Sequence, residues 1–168
     1  MALKLLVMGV SGCGKSTLAE SLAQRLRARM IEGDAFHPAV NVEKMRRGIA
    51  LTDDDRAPWL DDLGARLAGA RGDAVLSCSA LKRAYRARLR AAEPALRIAF
   101  IEVSPSQARE RVVARPGHFF SPTLVDDQFA TLEPPVGERG VLRVDAGWAQ
   151  AAQCEAVLNW LEHETILP

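Results

Sequence analysis

The sequence lacks an excess of charge of either sign. Lys and Arg number 22 against 21 Asp and Glu over 168 residues, so it offers no broad basic surface for nucleic acid or for membrane headgroups. Any anion must be held by a local cluster. The sequence also lacks paired cysteines. Cys13, Cys78 and Cys154 are an odd set at wide spacing, with no Cys-x-x-Cys and no histidine at zinc-finger distance, which speaks against a disulfide scaffold and fits a reducing, cytoplasmic compartment. Long apolar runs are missing too. The first run, residues 5–10, is too short for a signal peptide core or a membrane span. Internal repeats and low-complexity tracts are absent. What remains, 48% hydrophobic and 26% charged residues, is the balance of an ordinary soluble domain. The length suits one core, so any second lobe must be an insertion.

The chain alternates between two periodicities. Residues 3–8 form a continuous apolar run that meets Gly9, the pattern of a strand buried on both faces. Residues 16–29 place Leu18, Ala19, Leu22, Ala23 and Leu26 on one helical face. Further strands are predicted at 30–31, 74–78, 97–103 and 141–144, and helices at 38–47, 56–70, 81–92, 121–132 and 149–162. The run Asp53-Asp54-Asp55 is expected to cap the helix that follows it, and Ser104-Pro105 to open one ending near 115–117. Alternation of this kind implies βαβ units with right-handed crossovers, and so an α/β fold with a parallel sheet covered by helices on both faces. Ligands of such sheets lie beyond the carboxyl ends of the strands.

Beyond the first strand lies Gly9-Val10-Ser11-Gly12-Cys13-Gly14-Lys15-Ser16, which fits G-x-x-x-x-G-K-[ST] between a strand and a helix. Glycines let successive N–H groups turn inward, and the helix N-terminus adds its positive end beneath a phosphate. Lys15 is expected at the β- and γ-phosphates of ATP and Ser16 on Mg²⁺, with Thr17 next to them. Cys13 is read as a small filler of the loop.

The next strand end carries Glu32-Gly33-Asp34. In an extended segment both carboxylates point the same way and can flank one site. Phosphoryl transfer needs a group that takes or orients the acceptor hydroxyl proton, assigned to Asp34, and another that holds the metal or its waters, assigned to Glu32. His37, Asn41 and Lys44 share a helix face by spacing and are candidates to line a polyhydroxylated substrate. Lys82, Arg83 and Arg86 follow the third strand and suit an anion beyond it. Arg109, Arg111, Arg115 and His118, beside Pro116-Gly117 and two phenylalanines, have the character of a lid over a transferring phosphate. A GTPase is excluded, because Asn occurs only at 41 and 159 and neither precedes Lys. Protein kinases use another glycine loop and a longer chain.

These motifs taken in order, G-V-S-G-C-G-K-S, E-G-D-A-F-H-P, L-T-D-D-D-R-A-P-W-L, C-S-A-L-K-R-A-Y-R, A-R-P-G-H-F-F and D-Q-F-A-T-L-E-P-P, resemble gluconokinase of the small P-loop type from about residue 5 to residue 145. The resemblance implies a nucleoside-kinase-like three-layer α/β fold with five parallel strands in the order 2-3-1-4-5. It implies a single kinase domain with a substrate-binding insertion near 35–70 and a lid near 115–122, commonly assembled as a homodimer. It implies transfer from Mg-ATP to the 6-hydroxyl of D-gluconate. Carried over by residue, Gly12, Gly14, Lys15 and Ser16 form the cradle and Asp34 is the acceptor-side carboxylate. Arg56 is expected to grip the substrate carboxylate, since a guanidinium makes two parallel bonds there. Arg111 and Arg115 match lid arginines, Arg111 stacking on adenine. Glu32 departs from the family, which often has Asp there. Two alternatives stand beside this reading: a kinase for shikimate or another small hydroxy acid, and an NTP-binding regulatory module without turnover.

Overall fold

The computed structural model describes residues 1–115 and 123–164. Five parallel strands run in the order β2-β3-β1-β4-β5: β1 (Lys4–Met8), β2 (Arg29–Glu32), β3 (Ala74–Ser77), β4 (Arg97–Glu102) and β5 (Val141–Asp145). The expected α/β architecture and strand order are thus present. Every residue of β1 and β3 is buried, as an apolar strand between two helical layers must be.

Alternation sorts the core into two halves. Leu5 and Val7 of β1, with Val75, Ala99 and Ile101, pack under α1 (Lys15–Leu26) and α7 (Gln150–Glu164), with α5 (Pro105–Val113) and α6 (Thr123–Thr131) alongside. Leu6 and Met8, with Leu76, Ile98 and Phe100, pack under α3 (Asp53–Ala68) and α4 (Arg83–Ala92). A short helix, α2 (Ala39–Arg46), precedes α3. Among the described residues no helix is long and apolar enough to cross a membrane, and all three cysteines are free and buried.

Local chemistry sets the boundaries. Ser104 caps α5 by accepting from Gln107 N at 3.3 Å, with Pro105 in the first turn, as its sequence predicts. The start of α3 differs from expectation. Thr52 is its cap, accepting from Asp55 N at 3.1 Å while Thr52 N donates to Asp55 Oδ2 at 2.9 Å. The three aspartates therefore fill the first turn, where the helix dipole favours negative charge. Lys4, at the edge of β1, is buried and donates to Ala70 O and Gly72 O, both at 2.7 Å, tying the strand to the turn before β3.

One buried ion pair fixes α4 to the far loop. Arg86, expected among the substrate contacts, is 1% exposed and faces inward. It donates to Glu138 Oε1 at 2.5 Å, to Ala80 O and Leu81 O at 2.9 and 3.0 Å, and to Glu133 O at 2.9 Å. Ala80 has φ of 45°, a conformation that an alanine keeps only when its surroundings hold it. The guanidinium supplies that hold by satisfying two successive carbonyls. Arg86→Met should lower the unfolding free energy by about 3 kcal/mol, because Glu138 loses a buried partner, and Arg86→Lys should recover little of it for want of the planar fork. Urea denaturation of the three proteins measures both effects.

Candidate active site

The loop between β1 and α1 is shaped by what packs behind it. A Cβ on Gly12, φ 83°, would lie 2.5 Å from Ala108 O, so α5 can approach this closely only over a glycine. Arg111, from the end of α5, donates to Gly12 O and Cys13 O at 3.2 and 3.3 Å and to Ala146 O at 3.2 Å. It binds the outward carbonyls of the loop and links them to the turn after β5. Cys13 and Val10 are buried. Desolvation pushes the Cys13 thiol up, so it is the inert filler its sequence suggested. Thr17 follows in the first turn of α1, its carbonyl accepting from Gln150 Nε2 at 3.4 Å.

Lys15 heads α1 with its side chain buried. Burial works against its charge, and the acidic groups around it, Asp34 and Glu32 among them, outweigh burial and hold its pKa above the ordinary lysine value. The two carboxylates do converge, though not through strand alternation. Glu32 ends β2, while Gly33–Phe36 forms a single 3₁₀ turn that carries Asp34. Gly33 permits the turn, since a Cβ there would stand 2.3 Å from Ser77 O. Ser77 is the register partner of both Val7 and Glu32. Its Oγ lies 3.4 Å from Ser16 Oγ, which brings Ser16, Ser77 and Glu32 together at the ends of neighbouring strands. Glu32 Oε1 is buried there without a hydrogen bond.

A pocket opens between these groups and α3. Lys15 and Asp34 both line it, together with Ser11, His37, Arg56, Trp59, Ser79, Leu124, Asp127, Gln128 and Thr131. Trp59 donates to Gly33 O at 2.9 Å and stacks on His37 with ring centroids 3.9 Å apart. His37 Nε2 is 3.9 Å from Asp34 Oδ1, its side chain is 4% exposed, and its buried Nδ1 has no partner. Burial lowers its pKa to about 4 against the pull of Asp34. Arg56 donates to Leu51 O at 2.6 Å and lies 5.4 Å from the centre of the Tyr85 ring.

The remaining sequence candidates lie elsewhere. Asn41 is buried and donates to Asp55 O at 3.0 Å. His37 precedes α2, so the expected shared helix face with Asn41 and Lys44 does not form. Lys44 pairs with Asp55 and Lys82 with Asp53, at 2.8 and 2.9 Å. Neither lysine lines the pocket, because the first turn of α3 engages both. Arg83 faces a separate groove with Arg90 and Arg139. Arg115 is exposed just beyond α5. His118 and the rest of the expected lid at 116–122 lie outside the described residues.

Sequence reasoning gave no role to Ser77, Ser79 or Gln128. Gln128 Oε1 accepts from Ser11 N at 2.7 Å, joining α6 to the phosphate loop across 117 residues of chain. Strand register would have pointed to Ser77 once β2 was extended to Glu32. Gln128 lies within the D-Q-F-A-T-L-E-P-P motif, but nothing in that motif points to a contact with Ser11.

Comparison with known proteins agrees with this architecture. The family described as AAA domain matches residues 5–135. The gluconokinase of Gluconobacter oxydans (strain 621H) is 48% identical over 144 residues, 83% of this chain and 80% of the relative. The thermoresistant gluconokinase of Escherichia coli (strain K12) is 44% identical over 143 residues, 83% of this chain and 82% of the relative. Among solved structures, a gluconokinase from Sinorhizobium meliloti 1021 superposes with a TM-score of 0.87 at 45% identity, covering 96% of this chain and 92% of that one. With its phosphate loop, strand order and these identities, the chain belongs to the gluconokinase family of P-loop kinases.

Proposed function

We propose that this protein transfers the γ-phosphoryl group of ATP to the 6-hydroxyl of D-gluconate, giving 6-phospho-D-gluconate and ADP. The observation that carries the reading is that Lys15 and Asp34 line one pocket, with Arg56 on its wall. Lys15 remains an ammonium there and neutralises the charge that develops on the transferring oxygens. Asp34 orients the acceptor hydroxyl and takes its proton as the oxygen–phosphorus bond forms and the bond to the β-phosphate oxygen breaks. Arg56 presents a guanidinium to the substrate carboxylate, and neutral His37, with Ser79, supplies polar atoms for hydroxyls. Residues 35–70 thus form the acceptor side of a single kinase domain, and Arg111 and Arg115 the nucleotide side.

The donor set fits Mg²⁺. Ser16 and Glu32 are oxygen donors of the kind a hard cation takes, and the buried Glu32 Oε1 has no hydrogen-bond partner. Among the described residues no cluster of three acidic, histidine or cysteine side chains forms a cage, which suits an ion held largely by phosphates and water. When bound, Mg²⁺ supplies charge neutralisation at the phosphates. The three free, buried cysteines support a cytoplasmic setting. A homodimer is supported by the family resemblance. Sedimentation equilibrium should return twice the chain mass, and a monomer would overturn the assembly.

Purified protein given ATP, Mg²⁺ and a panel of sugar acids and shikimate should release ADP with gluconate, and silence with gluconate would overturn the substrate. Asp34→Ala should lower kcat at least 100-fold with ATP affinity retained, whereas Lys15→Ala should weaken both. A regulatory module would show no turnover to lose. The state of His37 gives a pH signature. Its folded value of about 4 lies below the ordinary 6.5, so the unfolded chain binds the proton more readily. Its contribution to stability is complete above pH 6.5 and is lost as pH falls towards 4. Between pH 7 and pH 5 the wild type should lose about 2 kcal/mol more than His37→Gln, measured by urea denaturation at both values.

A further inference from the structure

Gln128 sits on α6, outside the glycine loop, yet its Oε1 is 2.7 Å from the amide nitrogen of Ser11 inside that loop. Because a backbone N–H can only donate, the atom facing it must be the amide oxygen, and this fixes which end of the carboxamide is which. The Nε2 group, with two N–H donors, then stands on the other side. It makes no hydrogen bond to any other described residue, although Gln128 is only partly exposed and lines the same pocket as Ser11, Lys15 and Asp34. The pocket's anionic wall on this side is Asp127 and its cationic centre is Lys15.

We infer that Gln128 is a binding residue for the transferring phosphoryl group, its Nε2 donating to a γ-phosphate oxygen while its Oε1 anchors Ser11. This deepens the kinase reading above and rests on it. Three observations favour the phosphoryl group over the sugar acid as the acceptor of these donors. The amide is tethered to the phosphate loop itself and not to α3, where the acceptor-side groups Arg56 and Trp59 reside. A neutral donor beside Lys15 adds hydrogen bonding without adding repulsion between cations. A tether at Ser11 also makes the position of Nε2 follow the position of the loop, so the donors are already aimed when the nucleotide enters. ADP has no γ-phosphate to meet them. Gln128 therefore distinguishes the triphosphate from the diphosphate, and helps product leave.

The test is nucleotide discrimination, read by calorimetric titration of ADP and of a non-hydrolysable ATP analogue with Mg²⁺. Gln128→Glu keeps an acceptor for Ser11 and removes the donors; Gln128→Met removes both without adding charge. The ratio of the ADP dissociation constant to that of the analogue should fall about 10-fold or more in both variants, with gluconate KM little changed and kcat reduced. A structural role alone would weaken both nucleotides equally, and an unchanged ratio in either variant overturns the inference. Lys15→Ala separates this failure from failure of the kinase reading. If wild type phosphorylates gluconate and Lys15→Ala loses nucleotide while the Gln128 variants keep the wild-type ratio, only the role of Gln128 falls.

Discussion

The site depends on holding a buried ammonium beside two acidic side chains at the carboxyl end of a parallel sheet. Burial by itself works against the charge of Lys15. Its neighbours Cys13, Asp34 and Glu32 outweigh burial, and the lysine pKa rises although the side chain is buried. The sheet order brings these groups near one another. β3 lies between β1 and β2, so the strand that delivers the phosphate loop and the strand that delivers the carboxylates stand one strand apart, with Ser77 in register with both.

The second organiser is the first turn of α3. Its aspartates are stabilised by the helix N-terminus, and they collect Lys44, Lys82 and the Tyr85 hydroxyl. Lys44 holds the Asp55 carboxyl down to about 2. The result is a neutralised rim that leaves Arg56 as the cation of α3 facing the pocket, over the ring of Tyr85. Trp59, one turn further on, reaches back to the Gly33 carbonyl. The helix that closes the acceptor side thereby also fixes the turn carrying Asp34.

Much of this was legible in the residues. The apolar run before Gly9 gave β1, and β1 with the glycine loop gave the position of Lys15. The pairing of Glu32 with Asp34 was visible as a pair of acids, but the 3₁₀ turn was not, because a glycine-centred reversal and a strand end look alike over three residues. The basic residues after β3 were the least legible. Lys82, Arg83 and Arg86 lie within five residues of one another and have similar charge, yet one meets an aspartate, one a separate groove and one the buried Glu138. Helical periodicity could have placed Arg86 inward with Tyr85 and Leu89, but a charge on an apolar face reads as an exception until its partner, 52 residues away, is known.

Arginine shows why residue type alone does not locate a phosphate site. Arg86 and Arg111 both donate to pairs of successive carbonyls, Ala80 and Leu81 in one case and Gly12 and Cys13 in the other. Each stabilises a segment whose backbone turns its carbonyls away from regular partners, and such turns are what point N–H groups or side chains into the pocket. The consequence differs with burial. Arg86 is enclosed and its fork is saturated, so its work ends with the fold. Arg111 instead bridges the phosphate loop and the turn after β5. Because the N–H donors of a guanidinium fan out within one plane, a single side chain can bind carbonyls from two separate segments and hold them together.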